Sequence, residues 1–317
     1  MKKTSVRRQA RGAVTPVIAT AVLLCALSAS AVAVSEVKSG NSAPITQNME
    51  ISTFKNVAVG GQLEAMDPDG DLMVFLITGE PKKGTVDLSQ DGSYTYTPYA
   101  DKKGRDSFTF AAVDSFGNRS DNATVNINIQ KQATRITYSD LDGDPVLYHA
   151  LRLAEADVFT GDRLGGEYFF RPEQPVSRGE FLVMCMEACG ADPLKGVTRT
   201  GFYDDADIPP WEKPYVAAAL LEGKVSGYTD GTGRPIFLSE CAITNAEASV
   251  LLNSVLDVTD VSYGSADEAC PAWAVQASLN LSACDIPSSS FHDSPLTRGD
   301  AAKMLSAAMD VAAKRKS

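Results

Sequence analysis

A four-residue pattern of hydroxyl and charged side chains recurs three times in the second half of the chain. Its copies begin at Ser177, Thr244 and Thr297 and contain Ser-Arg-Gly-Glu, Thr-Asn-Ala-Glu and Thr-Arg-Gly-Asp. A hydroxyl residue followed three positions later by a carboxylate is typical of a capping box, in which each side chain accepts a hydrogen bond from the other residue's backbone amide. The pattern therefore predicts three helix starts, capped by Ser177, Glu180, Thr244, Glu247, Thr297 and Asp300.

Arginine stands at the second position of two copies, as Arg178 and Arg298. A cation in the first turn of a helix faces the positive end of the helix dipole, which costs about 0.3–1 kcal/mol. Each arginine therefore needs a compensating partner, either a carboxylate of a neighbouring repeat or a bound anion. Gly179 and Gly299 follow the arginines and indicate close approach of another group, because glycine lowers the stability of a helix.

Carboxylates cluster at a second place, in the first half of the chain. Asp67, Asp69 and Asp71 alternate around a turn-forming Gly70, and Asp114 offers a fourth carboxylate. Calcium binds about six to eight hard oxygens, so this cluster is a candidate calcium site, and calcium is the one cofactor that the sequence indicates. The alternative is an Asx-rich turn between strands, because no bidentate Glu follows at the spacing of an EF-hand.

The sequence offers little support for a catalytic site. The two histidines, His149 and His292, have no plausible nucleophile partner in the sequence. The Gly-x-Ser-x-Gly, His-Glu-x-x-His and P-loop patterns do not occur. We therefore predict that the protein is not an enzyme.

The first 33 residues are typical of an export signal peptide. Five basic residues precede an uncharged apolar segment, and small residues near positions 29–33 fit a cleavage site. An uncleaved membrane anchor is the alternative, since residues 12–34 carry no charge and are long enough to span a bilayer. Residues 34–48 are small and polar and are predicted to be a linker. Membrane contact is expected only through an uncleaved signal segment.

Without the signal segment, 24 basic residues stand against 40 acidic ones, a net charge near −16. An exported protein this acidic is not expected to bind nucleic acid. Five cysteines remain, an odd number for a chain outside the cytoplasm: Cys185, Cys189, Cys241, Cys270 and Cys284. Most are predicted to be small core residues, and a Cys270–Cys284 disulfide is left open.

Residues 49–131 have the pattern of a β domain. Apolar and polar residues alternate at 94–97, 108–111 and 125–130, with Gly-containing turns between the runs. Residues 72–77 are apolar throughout, which predicts a strand buried on both faces. About seven short strands in this length indicate an antiparallel sandwich.

This β segment resembles the bacterial cadherin-like, immunoglobulin-like modules of large surface proteins. The matching stretches are residues 67–71, 84–88, 91–98, 106–110 and 114–117. The resemblance implies an immunoglobulin-like sandwich that acts as a spacer, an adhesive unit or a calcium-stiffened stalk.

From Tyr138 onward the chain is predicted to be helical and repetitive. Each unit has an entry turn with an aromatic residue and an Asp, a first helix, a Gly-containing loop and a capped second helix. Units this small are stabilised by packing on one another. They span residues 136–192, 200–258 and 268–313, and the third copy is degenerate.

These units resemble the S-layer homology (SLH) domain. The middle copy carries Phe202-Tyr203-Asp204, a helix led by Trp211, a Gly-rich loop from Gly223 and the Thr-Asn-Ala-Glu helix start. The resemblance implies an all-α unit with pseudo-threefold symmetry and grooves between the copies. It also implies binding of a secondary cell-wall polysaccharide linked to peptidoglycan, often with pyruvylated sugar ends.

The resemblance assigns roles to six residues. Two arginines would hold a glycan carboxylate beside free helix-start amides. Two tryptophans would cover the apolar face of a sugar, with burial in the core as the alternative. Two aspartates would orient an arginine or accept sugar hydroxyls, with capping of the following turn as the alternative. These predicted glycan-binding residues are Arg178, Arg298, Trp211, Trp273, Asp140 and Asp204.

Three departures from the family pattern limit the expected number of binding pockets. Asn245 replaces the Arg of the middle copy, Pro145 stands near the position of a Trp in the first, and the third copy lacks the Gly-rich loop. One or two pockets are therefore expected, led by Arg178 and Arg298.

These features predict a multidomain secreted chain, with a β-sandwich followed by an SLH unit. It would be held at the cell wall or S-layer surface by an anionic glycan while it displays the sandwich. The alternative is a structural or adhesive surface protein, whose sandwich binds a ligand while the repeats only pack or self-assemble.

Overall fold

The computed structural model describes residues 40–259, 261 and 267–316. The predicted signal peptide at residues 1–33 and the first part of the predicted linker lie outside the described residues. Within the described ranges, no helix has the length and apolar character needed to cross a membrane.

Residues 45–130 form nine strands in two sheets and one short pair. Their bounds are β1 (Ile45–Thr46), β2 (Met49–Phe54), β3 (Val59–Gln62), β4 (Ala65–Met66), β5 (Met73–Gly79), β6 (Gly84–Leu88), β7 (Ser93–Pro98), β8 (Gly104–Asp114) and β9 (Ala123–Gln130). One sheet has the order β2-β9-β8-β5 and the other β3-β7-β6, while β1 pairs with β4. The predicted all-β sandwich is confirmed.

The core of the sandwich follows the predicted alternation. The inward positions of β7, β8 and β9 are buried, while the residues between them on β7 and β9 largely face solvent. Tyr94 and Phe108 meet edge to face, with ring centroids 5.3 Å apart. The largest buried side chains of the sandwich are Leu63, Tyr96, Phe108, Phe110, Ile127 and Ile129.

Two details of the predicted sandwich are wrong. It is not purely antiparallel, because β2 and β9 pair in parallel. Nearly the whole module lies between them, so the long connection that parallel strands need is available. The predicted linker also ends too late, since Ile45–Thr46 within it pairs with Ala65–Met66. A two-residue strand is too short to leave an alternating pattern.

Strand β5 is not buried on both faces, as its sequence had predicted. It is the last strand of its sheet, with Phe75 and Ile77 packed on the core while Val74 and Leu76 are exposed. An apolar run is typical of a strand covered on both sides. Here only one face has a covering layer.

Residues 138–316 carry six α-helices and two β-hairpins within the described ranges. Their bounds are α1 (Val146–Glu155), β10 (Asp162–Leu164), β11 (Glu167–Phe169), α2 (Arg178–Cys189), α3 (Lys213–Leu221), β12 (Tyr228–Thr229), β13 (Pro235–Ile236), α4 (Asn245–Leu256), α5 (Val275–Ser282) and α6 (Arg298–Lys316). The expectation of an all-α unit is wrong, because the loops of the first two repeats close as hairpins. Gly161 and Gly227 precede them at φ of 71° and 69°, where a Cβ would lie 2.5 Å from a carbonyl oxygen of the hairpin.

The three capped helices pack together through apolar side chains three or four residues apart. Helix α2 contacts both α4 and α6. Buried residues on these helices include Phe181, Leu182 and Cys185 on α2, Ala248, Leu251 and Leu252 on α4, and Ala301, Met304, Leu305 and Ala308 on α6. This spacing places one apolar stripe per helix in a shared core.

A closed ring of backbone hydrogen bonds joins the three helix starts. The amide of Val176 donates to the carbonyl of Leu296 (2.9 Å), Leu296 donates to Ile243 (2.8 Å), and Ile243 donates to Val176 (3.0 Å). All three side chains are buried. Each of these residues directly precedes a helix cap, so every repeat bonds to both others in a cyclic threefold arrangement.

Among the described residues, Cys185, Cys241, Cys270 and Cys284 are free thiols. Cys185 and Cys270 are buried, as expected for small core residues, whereas Cys241 is exposed. The Cys270–Cys284 disulfide that the sequence left open is not formed.

Candidate functional site

The predicted capping residues occupy the first turns of α2 and α4. Ser177 Oγ accepts from the Glu180 amide at 3.2 Å, and the Glu180 carboxylate accepts from the Ser177 amide at 3.1 Å. Thr244 and Glu247 make the same two bonds at 3.3 and 3.0 Å. Both helices therefore begin with complete capping boxes.

The third helix start closes differently. Thr297 Oγ1 accepts from the Asp300 amide at 3.2 Å, but its hydroxyl then donates to the Asp300 carboxylate at 3.0 Å. Aspartate is one methylene shorter than glutamate. Its carboxylate therefore bonds to the Thr297 hydroxyl and not to the Thr297 amide.

The first two amides of each capped helix are occupied by backbone carbonyls, at 2.8–3.0 Å. The pairs, with the amide donor before the carbonyl acceptor, are Arg178–Cys241, Gly179–Ser239, Asn245–Ser294, Ala246–His292, Arg298–Gln174 and Gly299–Pro172. Each carbonyl belongs to the segment before another repeat's cap. The expectation of free helix-start amides is therefore wrong, because cyclic packing satisfies them. An anion at these positions must be held by side chains.

Arg178 lies in a buried, polar setting between two repeats. Its guanidinium pairs with Glu247 at 2.9 Å and stands 4.6 Å from the centre of the Tyr228 ring. The residue is 9% exposed, and its Nε has no hydrogen-bond partner among the described residues. The salt bridge between repeats is thus formed, and one guanidinium donor, the buried Nε, makes no hydrogen bond among the described residues.

The Glu247 carboxylate is ionised in this setting. Burial alone would raise its pKa, but hydrogen bonds from Thr244 and Tyr228 and the charge of Arg178 lower the pKa overall. Tyr228 donates to Glu247, and burial together with that bond raises the tyrosine pKa to about 12. Arg178, Glu247 and Tyr228 therefore form a charged, hydrogen-bonded cluster at neutral pH.

Above this cluster lies a groove of about 180 Å³. Trp273, the predicted stacking residue of the third repeat, lines it with 60% of its surface exposed. The other lining residues are Arg178, Lys224, Val225, Ser226, Gly227, Tyr228, Phe237, Glu247, Val250 and Leu251. The groove combines an aromatic face, two cations and a carboxylate from all three repeats. We call it the Arg178 groove.

Arg298 is more completely enclosed. Its Nη1 contacts Asp162 at 3.1 Å and the carbonyl of Phe170 at 3.3 Å, and its guanidinium lies 5.1 Å from the Phe159 ring centre. Arg171 reaches the same Asp162 oxygen at 3.4 Å. A carboxylate of the first repeat thus compensates the charge of Arg298.

Asn245 occupies the equivalent position in the middle repeat. Its side-chain amide donates to the carbonyls of Phe291 and Ser294 at 3.1 and 3.0 Å. A neutral amide bound to backbone carbonyls has no charge to offer an anion.

The two predicted aspartates fasten loops. Asp140 accepts from the amides of Phe170 and Arg171 at 2.9 and 2.7 Å. Asp204 accepts in the same way from Phe237 and Leu238, at 2.8–3.1 Å. The bonded amides belong to a distant loop, so these contacts do not match the alternative that each aspartate caps the turn that follows it.

The two tryptophans are exposed, so the core alternative is wrong for both. Each precedes its helix, since α3 begins at Lys213 and α5 at Val275. Trp211 lies outside the lining of the Arg178 groove, and Trp273 lies within it.

Sequence reasoning missed Glu212. Its carboxyl is buried against Gly179 and bonds the Ser239 hydroxyl, and a Cβ on Gly179 would overlap both groups. Burial, with smaller effects from the charges of Glu240 and Glu180, raises the pKa of Glu212 to about 7. The glycine at the third position of the four-residue pattern, Gly179, was the signal, because it indicated close approach of an unknown group.

The carboxylates of Asp67, Asp71 and Asp114 come together at one end of the sandwich. One oxygen of each lies within 4.8 Å of the others, while Asp69 is outside this group. Asp67 accepts from the amides of Asp69 and Asp71, so the Asx-turn alternative also holds. Yet Oδ2 of Asp67 and Oδ2 of Asp71 are buried and have no hydrogen-bond partner among the described residues.

Asp114 is the most deeply buried member of this cluster. Burial alone would raise its pKa, but hydrogen bonds from Asn118 and from the amides of Phe116 and Gly117 lower the pKa overall. The carboxylate is therefore ionised at neutral pH and can act as a cation ligand.

A larger cleft of about 1270 Å³ lies between the sandwich and helices α1 and α6. Arg152 and Asp310 pair within it at 2.7 Å. His149 also lines it, and burial, with the charges of Arg152 and Lys303, lowers the histidine pKa to about 4. Among the hydrogen bonds of the described residues, the side chains of His149 and His292 make none to Ser, Thr or Cys.

Residues 41–131 match the family described as the bacterial cadherin-like domain. The module thus begins before residue 49, where the sequence had placed its start. The chain is also 31% identical to Cell surface glycoprotein 1 of Acetivibrio thermocellus, over 33% of this chain and 5% of that protein. The chain thus spans a small part of the length of this relative.

Two solved structures share limited similarity with the chain. One is an endo-fucoidan hydrolase from glycoside hydrolase family 107, with 22% identity, 29% of this chain and 14% of that chain covered, and a TM-score of 0.24. The other is the SrpA adhesin of Streptococcus sanguinis, with 18% identity, 32% and 62% covered, and a TM-score of 0.23. These TM-scores are too low to support an argument about function.

Proposed function

We propose that the chain is a non-catalytic cell-surface protein that binds an anionic cell-wall glycan through the Arg178 groove and displays its cadherin-like domain. In this proposal residues 136–313 are three SLH repeats. The glycan is a secondary cell-wall polysaccharide linked to peptidoglycan. The similarity to a cell surface glycoprotein and the cadherin-like domain support the location.

One observation carries the binding proposal: Arg178, whose buried Nε makes no hydrogen bond among the described residues, lines the same groove as the exposed Trp273. An aromatic face suits the apolar side of a sugar ring. A guanidinium with an unused donor suits a carboxylate substituent. Lys224 adds a second cation to the lining, and its Nζ is paired with Asp257 at 3.3 Å.

The proposal places one working groove in the unit. Both arginines are paired with a carboxylate, but Arg178 lines a groove with Trp273, whereas Arg298 is bonded to Asp162 and to a backbone carbonyl. Asn245 is uncharged and is bonded to backbone carbonyls. In this proposal the two other helix starts hold the repeats together and do not bind glycan.

The test is sedimentation of the purified chain, without residues 1–33, with isolated cell-wall sacculi. Sacculi are compared before and after chemical removal of the secondary polysaccharide. We expect binding to disappear on removal. We also expect Trp273→Ala to weaken it about tenfold, which corresponds to the loss of about 1.4 kcal/mol of stacking energy.

Trp211→Ala is the matched control, because Trp211 is also exposed but lies outside the groove. Binding should persist in this control. Arg178→Ala should abolish binding, and circular dichroism must show that it still folds, because the change leaves Glu247 without its cation. Equal effects of the two tryptophan variants would contradict the proposal that glycan binds in the Arg178 groove. No binding to intact sacculi would favour the structural or adhesive alternative.

We also propose that Asp67, Asp71 and Asp114 bind calcium. Two buried oxygens without hydrogen-bond partners support this proposal, because a buried carboxylate oxygen without a donor is costly unless a cation neutralises it. Calcium at millimolar concentration should raise the melting temperature of the sandwich relative to a chelator. Asp71→Asn should remove the increase, and Asp69→Asn, outside the three-carboxylate group, should keep most of it. An unchanged melt would refute the site.

A further inference from the structure

Strand β5 ends its sheet and has a partner on one side only. It pairs with β8 through residues 73–79, with a register shift between Ile77 and Gly79, and among the described strands none lies beyond it. Among the described residues, no backbone hydrogen bond reaches its outer side. In an antiparallel pair, alternate amides and carbonyls of the last strand point outward. Strand β5 therefore presents an open row of backbone donors and acceptors.

The side chains of this strand do nothing to block pairing. Leu72, Val74 and Leu76 are 86%, 52% and 37% exposed, and residues 72–77 contain no charge, proline or glycine. Natural edge strands are usually protected by charged residues, proline or short length. Strand β6, at an edge of the other sheet, carries the exposed Asp87 in this way. The edge at β6 thus has a charged residue that protects it from pairing, and residues 72–77 have none.

We propose that β5 pairs antiparallel with β5 of a second copy of this chain, so that two four-stranded sheets become one continuous sheet. A twofold axis through the strand places the outward Val74 and Leu76 of one copy against those of the other. Inward residues face inward residues in the same way, because side chains alternate with a period of two. The strand is therefore complementary to itself on both faces.

The charges around β5 favour the antiparallel direction. Three carboxylates precede the strand, while two lysines and one glutamate follow it: Asp67, Asp69, Asp71, Lys82, Lys83 and Glu80. Parallel pairing would bring the two acidic ends together. Antiparallel pairing places each acidic end beside the lysines of the other copy. Like charges at close range suppress the parallel alternative.

This pairing goes beyond wall anchoring, because it joins neighbouring copies side by side through their cadherin-like domains. It needs neither the Arg178 groove nor the three-carboxylate cluster to be occupied. Its failure would therefore leave the proposed function unaffected.

The test is sedimentation equilibrium of the purified chain without residues 1–33, over a range of concentrations. We expect a reversible dimer, and we expect Val74→Lys to weaken the dimer at least about tenfold, because two lysines would then face the paired edge. Thr95→Lys is the matched control, since it adds the same charge at an exposed position of β7 in the other sheet. This control should dimerise like the wild type.

Hydrogen exchange on the wild-type chain gives a second, independent measurement. Alternate amides within residues 73–79 should exchange more slowly as the protein concentration rises, while amides of β6 should not change. A wild-type chain that stays monomeric up to about 1 mM would overturn the proposal. So would a dimer whose dissociation constant is the same in folded Val74→Lys, or exchange rates in β5 that do not depend on concentration.

Discussion

Replacing Glu212 with Gln should stabilise the helical unit at alkaline pH. The carboxyl is buried under the first turn of α2, and burial raises its pKa to about 7, against an ordinary value of 4.5. The native state therefore holds this proton more tightly than the unfolded chain does. Between about pH 4.5 and 7 the unfolded chain is deprotonated first, so this group makes stability fall as the pH rises.

The size of the effect follows from the two pKa values. A difference of about 2.5 corresponds to about 3 kcal/mol, and the loss is complete above pH 7. Glutamine keeps a hydrogen-bonding partner for Ser239 but cannot ionise. Glu212→Gln should therefore be more stable than the wild type by up to about 3 kcal/mol at pH 8 and nearly equal to it at pH 4.

Urea unfolding at pH 4, 6 and 8 measures this directly. Trp211 and Trp273 are the only tryptophans and both belong to the helical unit, so their fluorescence follows its unfolding. Glu222→Gln, at the exposed end of α3, is the control and should change stability by less than about 0.5 kcal/mol. A Glu212→Gln variant less stable than the wild type at pH 8 would refute the reasoning, because the ionised carboxylate would then be the stabilising form.

Two further predictions concern the contacts that position the helix starts. A Cβ on Gly179 would overlap the Glu212 carboxylate, whereas a Cβ on Gly299 would have its nearest contacts at 3.2–3.3 Å. Gly179→Ala should therefore lower the unfolding free energy by about 1–3 kcal/mol more than Gly299→Ala in urea denaturation, and equal losses would contradict the overlap. Asp204→Ala should cost about 2 kcal/mol, because two loop amides lose a charged acceptor, and Asp204→Asn should cost less. Unchanged stability combined with lost wall binding would instead assign Asp204 to the ligand.

Local patterns predicted local structure well. The capping boxes at Ser177 and Thr244 involve residues three positions apart, so the sequence contains the whole interaction. The alternation in β7 and β9 predicted their buried faces for the same reason. By contrast, the apolar run in β5 reports the composition of both faces but not whether a second layer covers them.

The Arg178 groove depends on contacts between distant parts of the chain. Arg178 pairs with Glu247, which already had a local explanation as a capping residue, so its second role was hidden. Trp273 reaches the groove from the third repeat, which the sequence had classed as degenerate. Only the cyclic packing of the repeats brings these side chains together, and no spacing in the sequence encodes it.

The ring through Val176, Ile243 and Leu296 fixes how many copies this unit can hold. In an open array, each repeat touches only its neighbours, and copies can be gained or lost at either end. In the closed ring, deleting one copy leaves a buried amide and a buried carbonyl without partners, and a fourth copy has no place to bond. The third copy can therefore differ from the other two in its loop but not in its helix start, because that start completes the ring for the other two.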